Sequence, residues 1–374
     1  MISERRADYS RFKPIINAIK KSKILNYELI VTGSHLLKKH GYTINEIKKD
    51  KIRVDYKIKS FKDKQIINDG ESMVLAIGKI LIKISKIIKK SNPDIILTGF
   101  DIGANFALTV AGAHLNIPVV HIQGGEVTGS IDESLRHAMS KFSNYHLVAN
   151  SDAKQRLIRM GEKRENIYVV GCPSLDALFL AKRIAPSKIL KKFKINVNKN
   201  FIIVIQHPVT TEAMYSGKQI IETIEAIKKT SLQALFVLPN NDSGHNEIIK
   251  IIKKSKIQWT ESLSLSEYST LLFYAKILVG NSSSGIHEAA SFNLPVINIG
   301  TRQNGRLKPE NVINAEYNRN DIYKKINFCM FNKKYLKKIK SLKNPYGDGK
   351  SSLKIIKFLK KMDLSESTQK QNAY

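Results

Sequence analysis

The sequence predicts an α/β protein with two Rossmann-like, doubly wound domains, and three observations support this prediction. Short β-branched apolar runs alternate with amphipathic stretches, which is typical of parallel βαβ units. The chain has 374 residues, a length that suits two domains with a core each. A lysine-rich stretch without a strong hydrophobic period, residues 184–200, separates two sets of such runs. We therefore expect two domains that face a cleft, with the ligand at the carboxyl ends of the strands.

The first set of runs fills the predicted N-terminal domain, residues 1–184. Its strands are expected at residues 28–32, 94–98, 118–122 and 145–149, and its helices at residues 72–90, 105–115 and 131–142. A doubly wound domain normally opens with a central strand, yet only residues 1–4 precede the first predicted turn. The opening strand is therefore expected to be truncated, and we favour a native start that lies upstream.

The second set of runs forms the predicted C-terminal domain, residues 185–350. Its strands are expected at residues 201–206, 232–238, 277–279 and 295–299, and its helices at residues 219–229, 246–254 and 286–291. Residues 351–374 are expected to form a helix that returns to the N-terminal domain, followed by a frayed polar tail.

The charge of the chain does not predict nucleic-acid binding. Lysine and arginine number 62 against 32 acidic residues, which gives a formal net charge of +30. The lysines are spread over every segment and are interleaved with isoleucine, as at Lys79, Lys83 and Lys86, which indicates solvated helix faces. No helix-turn-helix, zinc-finger or aromatic RNA-binding motif accompanies them. A basic surface would still attract an anionic nucleotide.

The cysteines and the apolar segments predict a cytoplasmic protein that does not enter a membrane. Cys172 and Cys329 lack metal-like spacing, so neither a disulfide framework nor a metal site is expected. No charge-free apolar run reaches about 18 residues. The segment Met1 to Arg6 has no apolar signal region.

A turn of small residues at positions 280–288 is the strongest candidate for a ligand site. It follows an apolar run and leads into a helix-like segment, so the unpaired N–H groups of the first helical turn would favour an anion. Ser282, Ser283 and Gly285 would let a diphosphate approach the backbone. An ordinary capped helix is the alternative interpretation.

Three charged side chains extend this candidate site. Glu288, about one turn into the helix, would accept hydrogen bonds from ribose hydroxyls. Arg302 and Arg306 follow the next predicted strand and would neutralise a diphosphate with forked donors. Together with the small-residue turn, they predict a site for a nucleoside diphosphate.

Polar side chains also fall at the ends of several other predicted strands. Asp101, Gln123 and Glu126 follow strands of the first domain, Asp132 begins a helix, and His207 closes the first strand of the second domain. Carboxylates at strand ends opposite a histidine would suit proton transfer at a sugar carbon. Two interpretations stay open, since Asp132 would also serve as an N-cap and His207 as a hydrogen-bonded residue before a proline.

Short motifs occur along the chain in a specific order. They are Arg6-Ala7-Asp8-Tyr9-Ser10, Thr32-Gly33-Ser34-His35, residues 121–127, residues 131–138, Gly171-Cys172-Pro173-Ser174, residues 206–211, Pro239-Asn240, residues 281–306 and Tyr346-Gly347-Asp348-Gly349. In this order the chain resembles the hydrolysing UDP-N-acetylglucosamine 2-epimerases, both the bacterial sialic-acid enzymes and the epimerase half of the animal bifunctional epimerase/kinase.

The resemblance implies a GT-B-like fold that holds UDP, and it implies a set of site residues. The residues that match the family's nucleotide pocket are Arg6, Ala7, Ser10, Asn240, Ser282, Ser283, Glu288 and Arg302. His207 would contact the sugar or its pyrophosphate. A homo-oligomer, either a dimer or a tetramer, is also implied.

The implied reaction begins with loss of the C2 proton and elimination of UDP to give a 2-acetamidoglucal. Water then adds at C1, and C2 is reprotonated on the other face. The products are UDP and free N-acetylmannosamine, a precursor for sialic and related nonulosonic acids. No metal or redox cofactor is implied, because arginines and helix-end N–H groups would stabilise the departing diphosphate.

The chain departs from the family pattern at three places. The usual Gly-Asp-Arg reads Gly-Phe-Asp, so the acid is displaced to Asp101 and the arginine is missing. Gln123 stands where a carboxylate is frequent, and an amide cannot act as a base. Glu4 and the arginine after it replace a Gly-Thr pair. The proton transfers would then fall on Asp101, Asp132 and Glu126.

These departures leave other functions open. One is hydrolysing epimerisation of a UDP-2,4-diacetamido-2,4,6-trideoxyglucose on a route to legionaminic-type acids. Another is a glycosyltransferase of the same fold, which would need an acceptor before it released UDP. A third is a nucleotide-sugar-binding protein without catalysis, which would bind UDP without exchanging the C2 proton.

Overall fold

The computed structural model describes residues 1–38, 41–61, 70–100, 102–128, 131–196, 198–239, 242–365 and 369–373. The chain divides into two compact units. The N-terminal unit comprises Met1–Ala177 and Gly347–Tyr374, and the C-terminal unit comprises Leu178–Tyr346. Within the described ranges, no helix combines the length and the apolar character needed to cross a membrane.

The strands and helices follow one another in α/β alternation over most of the chain. The strands are β1 (Ile2–Ser3), β2 (Ile30–Thr32), β3 (Tyr56–Ile58), β4 (Ile96–Gly99), β5 (Val119–Ile122), β6 (Tyr145–Val148), β7 (Ile167–Val169), β8 (Phe201–Ile205), β9 (Gln233–Val237), β10 (Gln258–Thr260), β11 (Leu278–Gly280), β12 (Val296–Ile299) and β13 (Val312–Ala315). The helices are α1 (Arg6–Lys20), α2 (Ile44–Lys49), α3 (Gly70–Ser91), α4 (Gly103–His114), α5 (Ile131–Phe142), α6 (Ser151–Arg159), α7 (Pro173–Leu180), α8 (Pro186–Lys192), α9 (Ser216–Lys228), α10 (His245–Lys254), α11 (Leu265–Tyr274), α12 (Ser283–His287), α13 (Arg319–Phe331), α14 (Lys333–Lys340) and α15 (Ser351–Leu359).

The N-terminal unit contains two parallel sheets, one in the order β1-β2-β3 and one in the order β4-β5-β6-β7. Strands β4 and β5 are buried along their whole length, as expected for parallel strands covered on both faces. The opening strand β1 has two residues, and Ile2 pairs with Ile30 of β2. The predicted truncated strand is thus a short strand in parallel register.

The last helix of the chain packs on the first helix of the N-terminal unit. Ile355 and Leu359 of α15 lie in the same apolar cluster as Phe12 and Ile16 of α1. Asp176 fixes the start of α15, because its carboxylate accepts hydrogen bonds from the backbone N–H groups of the first two α15 residues at 2.9 and 2.7 Å. The N-terminal unit is therefore completed by the end of the chain.

The C-terminal unit contains one parallel sheet of six strands in the order β10-β9-β8-β11-β12-β13. The strand order reverses between β8 and β11, which pair with Gly280 opposite Ile205. In open α/β sheets, ligands bind beyond the carboxyl ends of the strands at such a reversal. The topology therefore predicts a ligand site at the loops that follow β8 and β11.

The structure differs from the predicted elements where hydrophobic runs are short. The stretch predicted as an inter-domain connection contains α8, which starts with a proline in its first turn and buries Ile189 and Leu190. Two buried positions in seven residues give too weak a period to identify a helix. The strands β7 and β10 are three-residue edge strands with mostly exposed side chains, so no apolar run in the sequence predicts them.

Candidate active site

Asn281 joins the two loops at the strand reversal of the C-terminal unit. Its Oδ1 accepts a hydrogen bond from the His207 N–H at 2.7 Å, and its Nδ2 donates to the His207 carbonyl at 2.9 Å. Both residues are buried. The buried amide is thus satisfied by the backbone N–H and C=O of a single residue, and it fixes the position of His207 relative to the small-residue turn.

Gly280 allows the ends of β8 and β11 to lie this close. Its φ is +127°, and a Cβ at this position would lie 2.1 Å from the carbonyl oxygen of Ile205. A side chain would therefore collide with the backbone of the neighbouring strand, and only glycine suits the position.

The small-residue turn leads into α12 as the sequence predicts. The Ser282 hydroxyl accepts a hydrogen bond from the Ser284 N–H at 3.4 Å, so Ser282 is the N-cap of this short helix. The Tyr268 hydroxyl from α11 donates to Ser284 Oγ at 2.5 Å and fixes the turn from the side. Ser282 and Ser283 are half-buried. The capped-helix interpretation therefore holds for Ser282, and it is compatible with an anion at the same turn.

Gly285 has a packing role in this turn. It is buried, and a Cβ there would lie 2.9 Å from Cγ1 of Val296 in β12. The missing side chain lets α12 approach the sheet closely, as a glycine does in other strand-turn-helix units. Glu288, the residue after α12, is half-buried. Burial of the Tyr268 phenol, and after it the charge of Glu288, raises the pKa of that phenol.

Two side chains of the loop after β12 donate hydrogen bonds to the backbone carbonyl of Asn281. Arg302 Nη1 donates to the Asn281 carbonyl at 3.2 Å, and Gln303 Nε2 donates to it at 2.8 Å. Arg302 also lies 3.8 Å from a carboxylate oxygen of Asp242. Arg306 is half-buried on the same loop. The structure therefore brings Arg302 to the small-residue turn, where the sequence predicted it.

Burial, together with the nearby Arg302 guanidinium, lowers the pKa of His207 to about 3. The imidazole is therefore neutral at pH 7 and can both donate and accept a hydrogen bond. It therefore carries no positive charge at that pH.

In the N-terminal unit, Gln123 and Glu126 form a buried pair directly after β5. Gln123 Nε2 donates to Glu126 Oε1 at 3.3 Å, and Arg136 Nη1 donates to the Glu126 carbonyl. Gln123 has a φ of +59°, and its N–H donates to the Leu147 carbonyl at 2.9 Å. A non-glycine residue in the left-handed region is frequent at functional sites. The pair shows that the amide which replaces a carboxylate is used to orient Glu126.

Asp132 is the second residue of α5 and is half-buried. Because it already lies inside the helix, the N-cap interpretation is wrong. The loop before this helix is held by its neighbour Glu133, whose carboxylate accepts a hydrogen bond from the Thr128 N–H at 2.6 Å.

The residues matched to the nucleotide pocket on α1 take part in local contacts. Arg6 makes a forked, exposed ion pair with Glu46, with Nε at 2.9 and 3.1 Å from the two carboxylate oxygens. The Ser10 hydroxyl donates to the Ala7 carbonyl at 2.8 Å. Two further predicted site residues, Asp101 and Asn240, lie outside the described residues.

Several residues near the carboxyl ends of the strands in the two units were not predicted as site residues. Asn281 and Gln303 act through backbone groups, and Tyr268 acts through a serine, so no spacing in the sequence revealed them. The one available signal is that Asn281 is a polar residue directly after a buried strand. Glu4 was noted only as a departure from the family, yet its carboxylate is buried and accepts a hydrogen bond from the Ala104 N–H at 3.2 Å.

A family model described as UDP-N-acetylglucosamine 2-epimerase matches residues 17–360 of the chain. The chain belongs to this family. The match includes strands β2 to β13, and the predicted family membership is thereby confirmed.

Two relatives represent the 2-epimerase family. One is a UDP-N,N'-diacetylbacillosamine 2-epimerase (hydrolyzing) of Legionella pneumophila, 36% identical over 379 residues, which cover 100% of this chain and 98% of the relative. The other is a UDP-N-acetylglucosamine 2-epimerase of Neisseria meningitidis, 34% identical over 326 residues, which cover 86% of this chain and 84% of the relative.

The fold of the 2-epimerase family is also found in a solved structure. The crystal structure of UDP-GlcNAc 2-epimerase from Neisseria meningitidis bound to UDP-GlcNAc superposes with a TM-score of 0.81 at 19% sequence identity, and covers 96% of this chain and 99% of that chain. This similarity confirms the predicted GT-B-like α/β fold.

Proposed function

We propose that this member of the 2-epimerase family is a hydrolysing 2-epimerase that converts a UDP-2-acetamido sugar and water to UDP and the free C2-epimeric sugar. The observation that carries the proposal is the arrangement around Asn281, which places His207, Arg302 and a capped serine turn together at the strand reversal. Nucleotide binding at such a reversal is what this topology favours.

In this proposal the C-terminal unit binds the UDP moiety. Backbone N–H groups of Ser282 and Ser283 face the diphosphate, Arg302 and Arg306 neutralise its charge, and Glu288 accepts hydrogen bonds from the ribose. A diphosphate that departs gains negative charge, and the fixed arginine and N–H donors stabilise that charge. Neutral His207 donates a hydrogen bond to the sugar or to the pyrophosphate.

The N-terminal unit supplies the proton transfers. The buried Glu126 carboxylate accepts a hydrogen bond from Gln123, and Arg136 donates to the Glu126 backbone carbonyl. We assign Glu126 the removal of the C2 proton. Asp132 activates the water that adds at C1, and Asp101 assists in the proton transfers. The nucleotide-binding residues on α1 are Arg6, Ala7 and Ser10, and Arg6 exchanges its exposed partner Glu46 for the nucleotide.

Two sugars are candidate substrates. UDP-N-acetylglucosamine would give N-acetylmannosamine for sialic-acid synthesis. UDP-2,4-diacetamido-2,4,6-trideoxyglucose would give the corresponding mannose-configured sugar for legionaminic-type acids, and it is favoured by the 36% identity to the Legionella relative over the whole chain. We also propose that the protein is a homo-oligomer, since α3 exposes Val74 and Ile82 eight residues apart on one face.

The proposal is tested by proton NMR of each UDP-sugar incubated with the purified protein in deuterated water. We expect UDP and a free epimerised sugar with deuterium at C2, and strongly reduced turnover in an Asp132→Asn variant. UDP release that requires an added acceptor would instead indicate a glycosyltransferase. Binding of UDP without C2 exchange on either sugar would indicate a protein that binds nucleotide sugars without catalysis. Full turnover by the variant would contradict the role of Asp132.

A further inference from the structure

Glu4 is a buried carboxyl group at the carboxyl end of β1. Only 9% of the residue is exposed, and its Oε2 accepts a hydrogen bond from the Ala104 N–H in the first turn of α4 at 3.2 Å. Gly33 makes room for the side chain, since a Cβ on that glycine would lie 2.3 Å from Glu4 Cγ. The backbone carbonyl of Glu4 accepts a hydrogen bond from Ser34 Oγ at 2.9 Å. The chain therefore holds this carboxyl group in one place.

Glu4 and Gln123 each directly follow a strand of the N-terminal unit, β1 and β5 respectively. Asn105 of α4 connects the strands, because its Nδ2 donates to the Ile2 carbonyl at 3.2 Å and its Oδ1 accepts from the Gly99 N–H at 3.2 Å. Strand β4, which Gly99 ends, pairs with β5, and Gln123 follows β5 directly. Although β1 and β4 belong to different sheets, the Asn105 bridge brings β1 beside the end of β4, one strand away from the Gln123–Glu126 pair.

The environment of Glu4 favours its protonated form. Burial, and after it the negative charge of Asp8, raises the pKa of Glu4 above its ordinary value, although Arg5 and the Ala104 N–H act in the opposite direction. A protonated carboxyl group can accept the Ala104 hydrogen bond through one oxygen and donate a proton from the other. Gln123 has no proton of this kind to give, so the chain gains a titratable group at Glu4 where it lacks one at Gln123.

We propose that Glu4 is the acid that returns a proton to C2 of the sugar. This assignment rests on the proposed function. Epimerisation requires two groups, because the proton leaves C2 on one face of the ring and returns on the other. In the first half, Glu126 takes the C2 proton, the C1–O bond to the diphosphate breaks, and a C1–C2 double bond forms. In the second half, water adds at C1 and gives one proton to the Asp132 carboxylate, while the Glu4 O–H proton goes to C2. Glu126 and Asp132 release their protons to solvent. Solvent then reprotonates the Glu4 carboxylate.

The proposal is tested with a Glu4→Gln variant, which keeps a neutral acceptor for the Ala104 N–H but has no acidic proton. We expect the variant to release UDP while the 2-acetamidoglucal accumulates, and the rate of free-sugar formation to fall by about 10²- to 10⁴-fold, as is typical when a general acid is removed. Proton NMR separates the two products. Retained affinity for UDP and an unchanged unfolding midpoint show that the variant is folded.

Two results would overturn the role of Glu4. One is free-sugar formation at the wild-type rate in the variant, and the other is loss of UDP release itself with intact UDP binding, which would place Glu4 in the first half of the reaction. A second measurement needs no variant. It follows the rate at which the wild-type protein hydrates added 2-acetamidoglucal. Hydration should slow as the pH rises above the pKa of Glu4, and acceleration with rising pH would contradict the proposal. If the wild-type protein releases no UDP from either sugar, the proposed function fails independently of Glu4.

Discussion

The carboxyl edges of the two units are built from different kinds of contact. In the C-terminal unit, amide and guanidinium groups bond to backbone atoms, as Asn281 does to His207 and as Arg302 and Gln303 do to Asn281. In the N-terminal unit, the buried groups are carboxyls that accept hydrogen bonds, as Glu126 does from Gln123 and Glu4 does from Ala104. The carboxyl edge of the C-terminal unit is thus a fixed frame suited to binding an anion. The carboxyl edge of the N-terminal unit carries the groups that can exchange protons. The comparison also places the departures from the family pattern in the N-terminal unit.

The largest effect is expected from Glu126→Gln in the N-terminal unit. The variant keeps the shape of the side chain but removes the base, so turnover should fall by about 10²- to 10⁴-fold. The dissociation constant for UDP, measured by calorimetry, should stay unchanged because Glu126 is not among the proposed nucleotide-binding residues. Glu165→Gln on the exposed surface of the same unit is the matched control. A loss of UDP affinity as large as the loss of turnover would remove the distinction between the two edges.

A smaller effect, on UDP affinity rather than on the proton transfers, is expected from Asn281→Ala in the C-terminal unit. The change leaves the buried N–H and carbonyl of His207 without their partner, and each such loss costs about 1–3 kcal/mol. UDP affinity should fall by about 10- to 100-fold, and the unfolding midpoint in denaturant should decrease. Asn304 is an exposed residue of the loop after β12, and Asn304→Ala should leave the UDP affinity and the unfolding midpoint at wild-type values. Unchanged UDP affinity in Asn281→Ala would show that the frame is not required for binding.

The smallest effect is a dependence of stability on pH that originates at His207. Its pKa is about 3 in the folded chain against an ordinary value of 6.5, so between these values the unfolded chain binds more protons. The free energy of unfolding should therefore fall as the pH decreases from about 6.5, with His207 contributing at most about 1.4 kcal/mol per pH unit. A His207→Gln variant should show a shallower decline between pH 6.5 and pH 5 in denaturant titrations. Identical slopes would indicate that the folded chain protonates His207 without cost.

The elements predicted correctly from the sequence are those with long or continuous apolar patterns. Helix α5 has the predicted bounds, Ile131–Phe142, and β5 differs by one residue, because buried parallel strands and amphipathic helices leave a strong period. Helix α8 and the edge strands were missed, since few of their side chains are buried and a short run gives no period. Tertiary contacts, rather than local pattern, determine those elements.

The candidate site was predictable to the extent that it depends on local chain geometry. The serine turn and Arg302 were identified because a strand, a small-residue turn and a helix start are visible in the sequence. The function of Asn281 was not, since a hydrogen bond to a backbone 74 positions away leaves no local pattern. Gln123 was interpreted as a lost base, and the structure shows in addition that its amide orients Glu126.

The attachment of α15 to α1 and Asp176 has a consequence for the order in which the protein can fold as it is synthesised. The N-terminal unit is discontinuous in sequence, with Leu178–Tyr346 inserted between its parts. A nascent chain that has emerged only to Tyr346 contains every strand of the C-terminal unit, but α1 still lacks the apolar side chains of α15 that cover it. The later unit in the sequence can therefore complete its core first, and the first unit closes only when the last helix leaves the ribosome.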